Sequence, residues 1–499
     1  EIKTESLVMG RSILNKHPND RHFFEDEECI ICTDGVFFDT NRYAIGNIIR
    51  NYKKEGEKSF QFVDGNVSGL FFDKKLDKVY LFNDHLATRS IFYYHDVNFG
   101  FIAASELTVL VQVLKENKLN YTLDISASYS LMLYGYLLED YTLVKEVKRL
   151  GYSTILSYDF KKKNLGINKY FKYEITDNKM SLDEAIETLD KIFIRSVEKS
   201  WNKDVENRTE HLSLLSGGMD VKTNLLIADK LGFKNINTYT FGQSTSQDVL
   251  IAKEIADRNN FKHKSNFLDK AEYLKIENYE QYIQNTEGLV LLQSSAHLQF
   301  SIAKLNLNSY SILHTGQIGD VIFGTFTKKG SVQDLKRNIG FTGIVKKHEM
   351  LNRIEGLDKL LVGYEDKLEL FMLEHRQING TIMGDRSLLN LVDSLSPFYD
   401  FEFIKFMNSV PFEFKRNNKL YFAWLKEKHA YILDYNWERI DMKPNNKLKI
   451  KYGKLFKRYV NGAKKYFNLN YDSMNPFGKW LKENPSIISN LNNSFYKEI

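Results

Sequence analysis

Between His211 and Lys230 the chain reads HLSLLSGGMDVKTNLLIADK. An apolar run stops at Ser216-Gly217-Gly218-Met219-Asp220 and an amphipathic segment follows. Glycine lets an anion approach bare backbone, and a helix that starts there offers unpaired N–H groups and the positive end of its dipole. Ser216, Gly217 and Gly218 thus suit a phosphate cradle. Asp220 would repel a phosphate, but it can hold Mg²⁺, a hard cation that takes oxygen ligands and bridges phosphates. The other reading is a tight turn with an acidic residue in the first helical turn. The spacing is not that of the nucleotide-binding loop GxxxxGK[ST].

The elements around this loop must place it at a sheet edge. HLSLLSGG, INTYTFG and SYSILHTG are apolar or β-rich runs ending in glycine, with helical segments between them. That alternation predicts an α/β fold with a parallel sheet covered on both faces, where ligands sit at the carboxyl ends of the strands. MSLDEAIETLDKIFIRSVEKSW has apolar residues at helical spacing, opened by Ser181 and Glu184 as a capping box. Residues 1–155 instead read as short strands broken by Asp, Gly and Asn, such as CIICTDGVFFD and KVYLFND, with a helix over 126–139. The final stretch of roughly 110 residues reads as helical.

Several ordered segments resemble the asparagine synthetase family. SGGMD is similar to the family's SGGxDS, with Val221 in place of the last serine and Lys222 after it to supply charge to the phosphate instead. INTYTFG resembles the strand that flanks adenine and ribose, which implies Phe241 and Gly242 as nucleotide-binding residues, and Asp248 opens the next helix. HTGQIGDVIFGTF resembles SGxGxDExFGGY. Gly316, Gly319, Gly324 and Asp320 match, which implies Gly316 and Gly319 as ATP- or pyrophosphate-binding residues, and Val321 replaces the second acid. The resemblance makes Asp320 a second Mg²⁺ ligand beside Asp220. Glu287, in NTEGLVLLQSSAHL, takes the place of the family's base, a salt-bridged or capping Glu being the alternative. Lys447, chosen over Lys443 and Lys449, takes the place of a late lysine near the phosphates. SPFYDFEFIKFMNSVP resembles the family's PFLD segment.

The N-terminal half, from DGNVSGLFFD to FGFIAASEL, resembles the family's glutaminase-type domain. The implied architecture is an Ntn-hydrolase-like αββα sandwich over 1–160, followed by an ATP-pyrophosphatase (PP-loop) domain over 175–499 with a parallel sheet and a helical C-terminal part. Asp84 falls where the family binds glutamine. A working glutaminase uses an N-terminal cysteine, and Glu1 is not one. The chain does not open on Met, so its native start is expected upstream. The implied activity is an AMP-forming carbon–nitrogen ligase that uses ATP and Mg²⁺ to adenylate a small-molecule or peptide carboxylate. Either glutamine supplies the amine, or the N-terminal domain is a relic and a substrate amine reacts, as in β-lactam synthetase or lasso-peptide cyclase relatives. A catalytically silent binding protein is the alternative outside enzymes.

Composition narrows the classes further. The 499 residues carry a formal charge of only +5, with 43% hydrophobic and 14% aromatic residues, which is globular and gives no nucleic-acid footprint. The densest basic stretch, Lys443 to Lys465, reads as a solvated helix face or a surface for an anionic substrate or leaving group. Cys29 and Cys32 are the only cysteines, and they read as part of a buried strand rather than a metal or redox pair. EIKTESLVMG is not a signal peptide, and no apolar run approaches the roughly 20 residues of a membrane span. A cytoplasmic protein without a membrane or nucleic-acid partner is expected, with a homodimer left open by the resemblance.

Overall fold

The computed structural model describes residues 1–14, 16–327, 336, 348–467 and 472–495. The chain is mixed α/β and divides into two compact units. The first comprises Glu1–Ile175, Gln284–Leu291 and Lys328–Asn390. The second comprises Thr176–Ile283, Leu292–Thr327 and Leu391–Ile499.

The first unit is built on antiparallel strands. They are β1 (Phe23–Glu25), β2 (Cys29–Phe37), β3 (Gly65–Asp73), β4 (Lys78–Asn83), β5 (Phe92–Asp96), β6 (Gly100–Ala104), β7 (Lys148–Arg149), β8 (Thr154–Asp159) and β9 (Asn164–Lys169). Six pair in the order β9-β8-β4-β3-β2-β1, and three in the order β6-β5-β7. Alternating side chains leave the larger sheet on opposite faces. Ile31, Phe71, Tyr80 and Phe82 pack with Tyr43, Ile48 and Phe60 from the helical stretch 40–62. Ile30, Phe72, Val79 and Leu81 pack with Ile91, Tyr93 and Leu150, which belong to or adjoin the smaller sheet. Helix Leu107–Glu116 buries Leu107, Leu110 and Leu114 and contacts the smaller sheet. The result is a layering of helix, sheet, sheet and helix. The predicted helix over 126–139 is present as Ile125–Tyr134, capped by Asp124 and ended by Gly135 in the left-handed region.

Cys29 and Cys32 lie three residues apart in β2 and so face opposite sides of the sheet, each a free thiol. Burial pushes them up to about 12 and about 11. Asp84 is buried, and its carboxylate accepts from the N–H groups of Val67, Leu86 and Thr88 and from Thr88 Oγ1. Its oxygens hold the turn after β4.

The second unit contains a five-stranded sheet: β10 (His211–Leu214), β11 (Ile236–Gly242), β12 (Lys262–Phe267), β13 (Ile312–His314) and β14 (Asp393–Leu395). The order is β12-β11-β10-β13-β14 and every pair is parallel. Helices α1 (Leu182–Asn207), α2 (Met219–Lys230) and α3 (Gln247–Asn259) connect or cover it. The Ser181–Glu184 capping box opens α1, with Glu184 N–H on Ser181 Oγ at 3.2 Å and Ser181 N–H on Glu184 Oε2 at 2.7 Å. The two outer strands escape the hydrophobic pattern. β12 reads KHKSNF, a polar edge with two lysines, and β14 has only three residues inside a segment that reads as helical. Among the described residues no helix is long and apolar enough to cross a membrane.

Candidate active site

The strand order reverses between β10 and β13, and the crevice outside their carboxyl ends is where such sheets bind ligands. The helical turns that follow the loops leaving these two strands carry Asp220, in the first turn of α2, and Asp320. Gly218 is the N-cap of α2 and offers no side chain to the first-turn N–H groups. Gly218 N–H donates to Ser216 Oγ at 3.1 Å, and Gly217 N–H to Asp248 Oδ1 at 3.2 Å. A carboxylate from the start of α3 thus already rests on one donor of the glycine turn.

The glycines after β13 let that segment approach the first turn of α2. A Cβ on Gly316 would lie 2.3 Å from Val221 N, and one on Gly319 would lie 2.6 Å from Asp220 Cγ. With both positions bare, Asp320 N–H reaches Asp220 Oδ2 at 2.7 Å. Tyr421 O–H donates to Asp220 Oδ1 at 3.1 Å, while its ring stacks on Phe323 with centroids 3.9 Å apart. Arg439 Nη2 donates to Asp320 Oδ2 at 2.9 Å. Burial first, and then the neighbouring Asp320 charge, push the Asp220 carboxyl up to about 8. A buried carboxylate beside a second acidic side chain offers the oxygen ligands that a hard divalent cation takes, so Asp220 and Asp320 fit Mg²⁺.

A second charged group lies behind the glycine turn. Lys222 is fully buried and donates to Asn436 O at 2.6 Å, so it does not serve the cradle with an exposed ammonium. Burial, opposed by Glu438, lowers it to about 8. Glu438 Cβ would sit 2.8 Å from a Cβ on Gly217, and burial raises its carboxyl to about 7. Val221 is buried in the first turn of α2.

Phe241 is buried at the end of β11, and Gly242 follows with φ 152°. A Cβ on Gly242 would meet Met474 Cγ at 2.6 Å, and Met474 O accepts from Gln243 N–H. Beside this turn lies a cavity of about 480 Å³, lined by Gln243, Gln247, Asp441, Lys457, Lys464 and Asp472 among others. Lys457 pairs with Asp441 at 2.6 Å and also with Asp472.

Glu287 and Lys447 complete the set of predicted residues. Glu287 belongs to the first unit. Its Oε2 accepts from Thr108 N–H at 2.9 Å and Thr108 Oγ1 at 2.8 Å, and its Oε1 faces Arg386 Nη2 at 3.3 Å. That carboxylate anchors a buried ion pair. Lys447 opens the helix Lys447–Tyr466, and its side chain lies outside the described residues. Tyr421 and Arg439 escaped the sequence reading. Both come from segments of ordinary helical or loop composition and reach the carboxylates only through folding.

No curated protein matches the chain. Among solved structures, NMN synthetase from Francisella tularensis is similar at 16% identity with a TM-score of 0.22, covering 50% of this chain and 96% of that one. Glutamine-dependent NAD⁺ synthetase from Acinetobacter baumannii, in complex with ADP, is similar at 12% identity with a TM-score of 0.20, covering 50% of this chain and 60% of that one. Residues 189–375, which carry both glycine loops and both of the paired aspartates, match the family model of asparagine synthase.

Proposed function

We propose that the chain is an ATP-dependent, AMP-forming ligase that joins an amine to a carboxylate. The observation that carries this reading is the Asp220–Asp320 pair, set just beyond the glycine loops that follow adjacent parallel strands. The match of residues 189–375 to asparagine synthase supports it.

In the proposed reaction an oxygen of the substrate carboxylate attacks the α-phosphorus of ATP. The bond to the β-phosphate bridging oxygen breaks and pyrophosphate leaves. The amine then attacks the acyl carbon, AMP departs, and the amine's proton passes to a base. Ser216, Gly217, Gly218 and the first turn of α2 would receive the pyrophosphate, with Gly217 N–H exchanging Asp248 for a phosphate oxygen. Asp220 and Asp320 would hold Mg²⁺, which when bound neutralises phosphate charge. Tyr421 orients Asp220, and Arg439 orients Asp320 while adding fixed positive charge beside the loop. Phe241, Gly242 and the cavity beside them are the proposed nucleotide side. Glutamine as amine donor requires a nucleophile other than Cys29 and Cys32, whose thiols burial holds protonated.

The test is isotope exchange between pyrophosphate and ATP, with candidate carboxylates supplied in turn. Exchange in the native chain and its loss in Asp320→Asn, with unfolding unchanged, is expected. Exchange retained by Asp320→Asn overturns the reading, and a well-folded chain that never exchanges or releases pyrophosphate is a binding protein instead.

A further inference from the structure

Helix Lys447–Tyr466 has one face held by the body of its unit. A Cβ on Gly453 would lie 2.9 Å from Ile440 Cβ, Lys457 pairs with Asp441, and Lys454 Nζ sits 4.9 Å from the Trp437 ring. These contacts fix the rotation of the helix and so decide what points outward.

The outward side is not the ordinary charged face of a surface helix. Leu448, Tyr452, Leu455, Tyr459 and Tyr466 are 46–83% exposed. Together with Gly462, whose missing side chain leaves open space, they recur at alternating steps of four and three residues. That is the spacing of a seam that receives another helix, with Gly462 as a ready hole for a large side chain. The seam is flanked by exposed Lys449, Lys451 and Arg458, and the helix contains no acidic residue.

We infer that this face is a docking site for an amphipathic helix of a partner polypeptide whose seam is flanked by Asp or Glu. Charge selects the occupant. A second copy of the chain would bring Lys451 and Arg458 against cations of the same helix, which costs affinity. A partner with acidic flanks turns each of those positions into an attractive pair. A seam of about 20 residues spans roughly 30 Å, far beyond the reach of a small metabolite.

The experiment uses the full chain and two labelled synthetic peptides of about three heptads each, both with Leu along the seam. One carries Glu and the other Lys at the flanking positions, and binding is read by fluorescence anisotropy. The Glu peptide is expected to bind and the Lys peptide not. Tyr459→Ser should weaken binding about tenfold, as expected for an aromatic anchor at the centre of an interface. The double variant Lys451→Glu/Arg458→Glu should invert the preference, and neither variant should alter ATP–pyrophosphate exchange. The inference is overturned if the Glu peptide fails to bind, or if the charge-reversed chain still prefers it. It is also overturned if the native chain binds phosphatidylserine vesicles and neither peptide. A native dimer that Tyr459→Ser dissociates, with no peptide binding, assigns the face to self-association and overturns it as well.

Discussion

Asp220→Asn separates the cost of the paired aspartates from their use. The ordinary Asp carboxyl lies at 3.8, and in the fold burial and Asp320 push Asp220 up to about 8. The folded chain therefore keeps a proton that the unfolded chain has lost between these two values. Stability contributed by this group is unchanged below pH 3.8. It then falls as pH rises, with a slope approaching about 1.4 kcal/mol per pH unit, and levels off above pH 8. At pH 7, where the folded carboxyl still holds most of its proton and the unfolded one has lost it, this linkage leaves the fold roughly 4 kcal/mol less stable than below pH 3.8. Asparagine has no such proton to lose. Its amide keeps the shape, and its oxygen still accepts from Asp320 N–H. Denaturant unfolding in EDTA at a series of pH values should show native and variant chains alike near pH 4. The variant should be the more stable above pH 7, by up to about that amount. Mg²⁺ should stabilise the native chain and narrow the gap, while pyrophosphate exchange is lost in the variant. Parallel pH profiles for the two proteins would refute the claim that the pair is held together against its own charge.

Gly319→Ala should force the Asp220 carboxylate aside, since the added Cβ begins 2.6 Å from its Cγ. We expect about 1–3 kcal/mol lost in thermal unfolding and a larger proportional loss of exchange activity. Gly384→Ala, where nothing lies within 4 Å, serves as the silent control. Glu287→Gln should leave Arg386 buried without its counter-charge and cost about 3 kcal/mol of stability, measured by denaturant titration. If stability is kept and only amide formation slows, Glu287 acts as a base and its ion pair is incidental.

Local patterns carried much of the fold. Ser181 and Glu184 announce the start of α1 because a capping box is made within four residues. Gly316 and Gly319 stand out as glycines just after a strand and beside an aspartate, although the first turn of α2 that they make room for is set only by folding. The edge strands β12 and β14 were not legible. A lysine-bearing edge need not be apolar, and three residues are too few to show a period. The two later segments that join the first unit, Gln284–Leu291 and Lys328–Asn390, have no local signature either. They are placed by contacts such as Asn379 Nδ2 to Leu137 O at 3.0 Å, between residues far apart in the chain.

By itself the sequence determined which chemistry was available: glycine turns at strand ends, carboxylates one residue or two beyond them, and helices to supply N–H groups. Those properties depend on neighbours within a few residues, so composition and spacing reveal them. Only the tertiary structure decided which groups share a field. It set Asp220 against Asp320, gave them Tyr421 and Arg439, buried Lys222 away from the cradle, and committed Glu287 to Arg386. Charge, desolvation and hydrogen-bond partners act through space over a few ångströms, and the chain order does not record those distances.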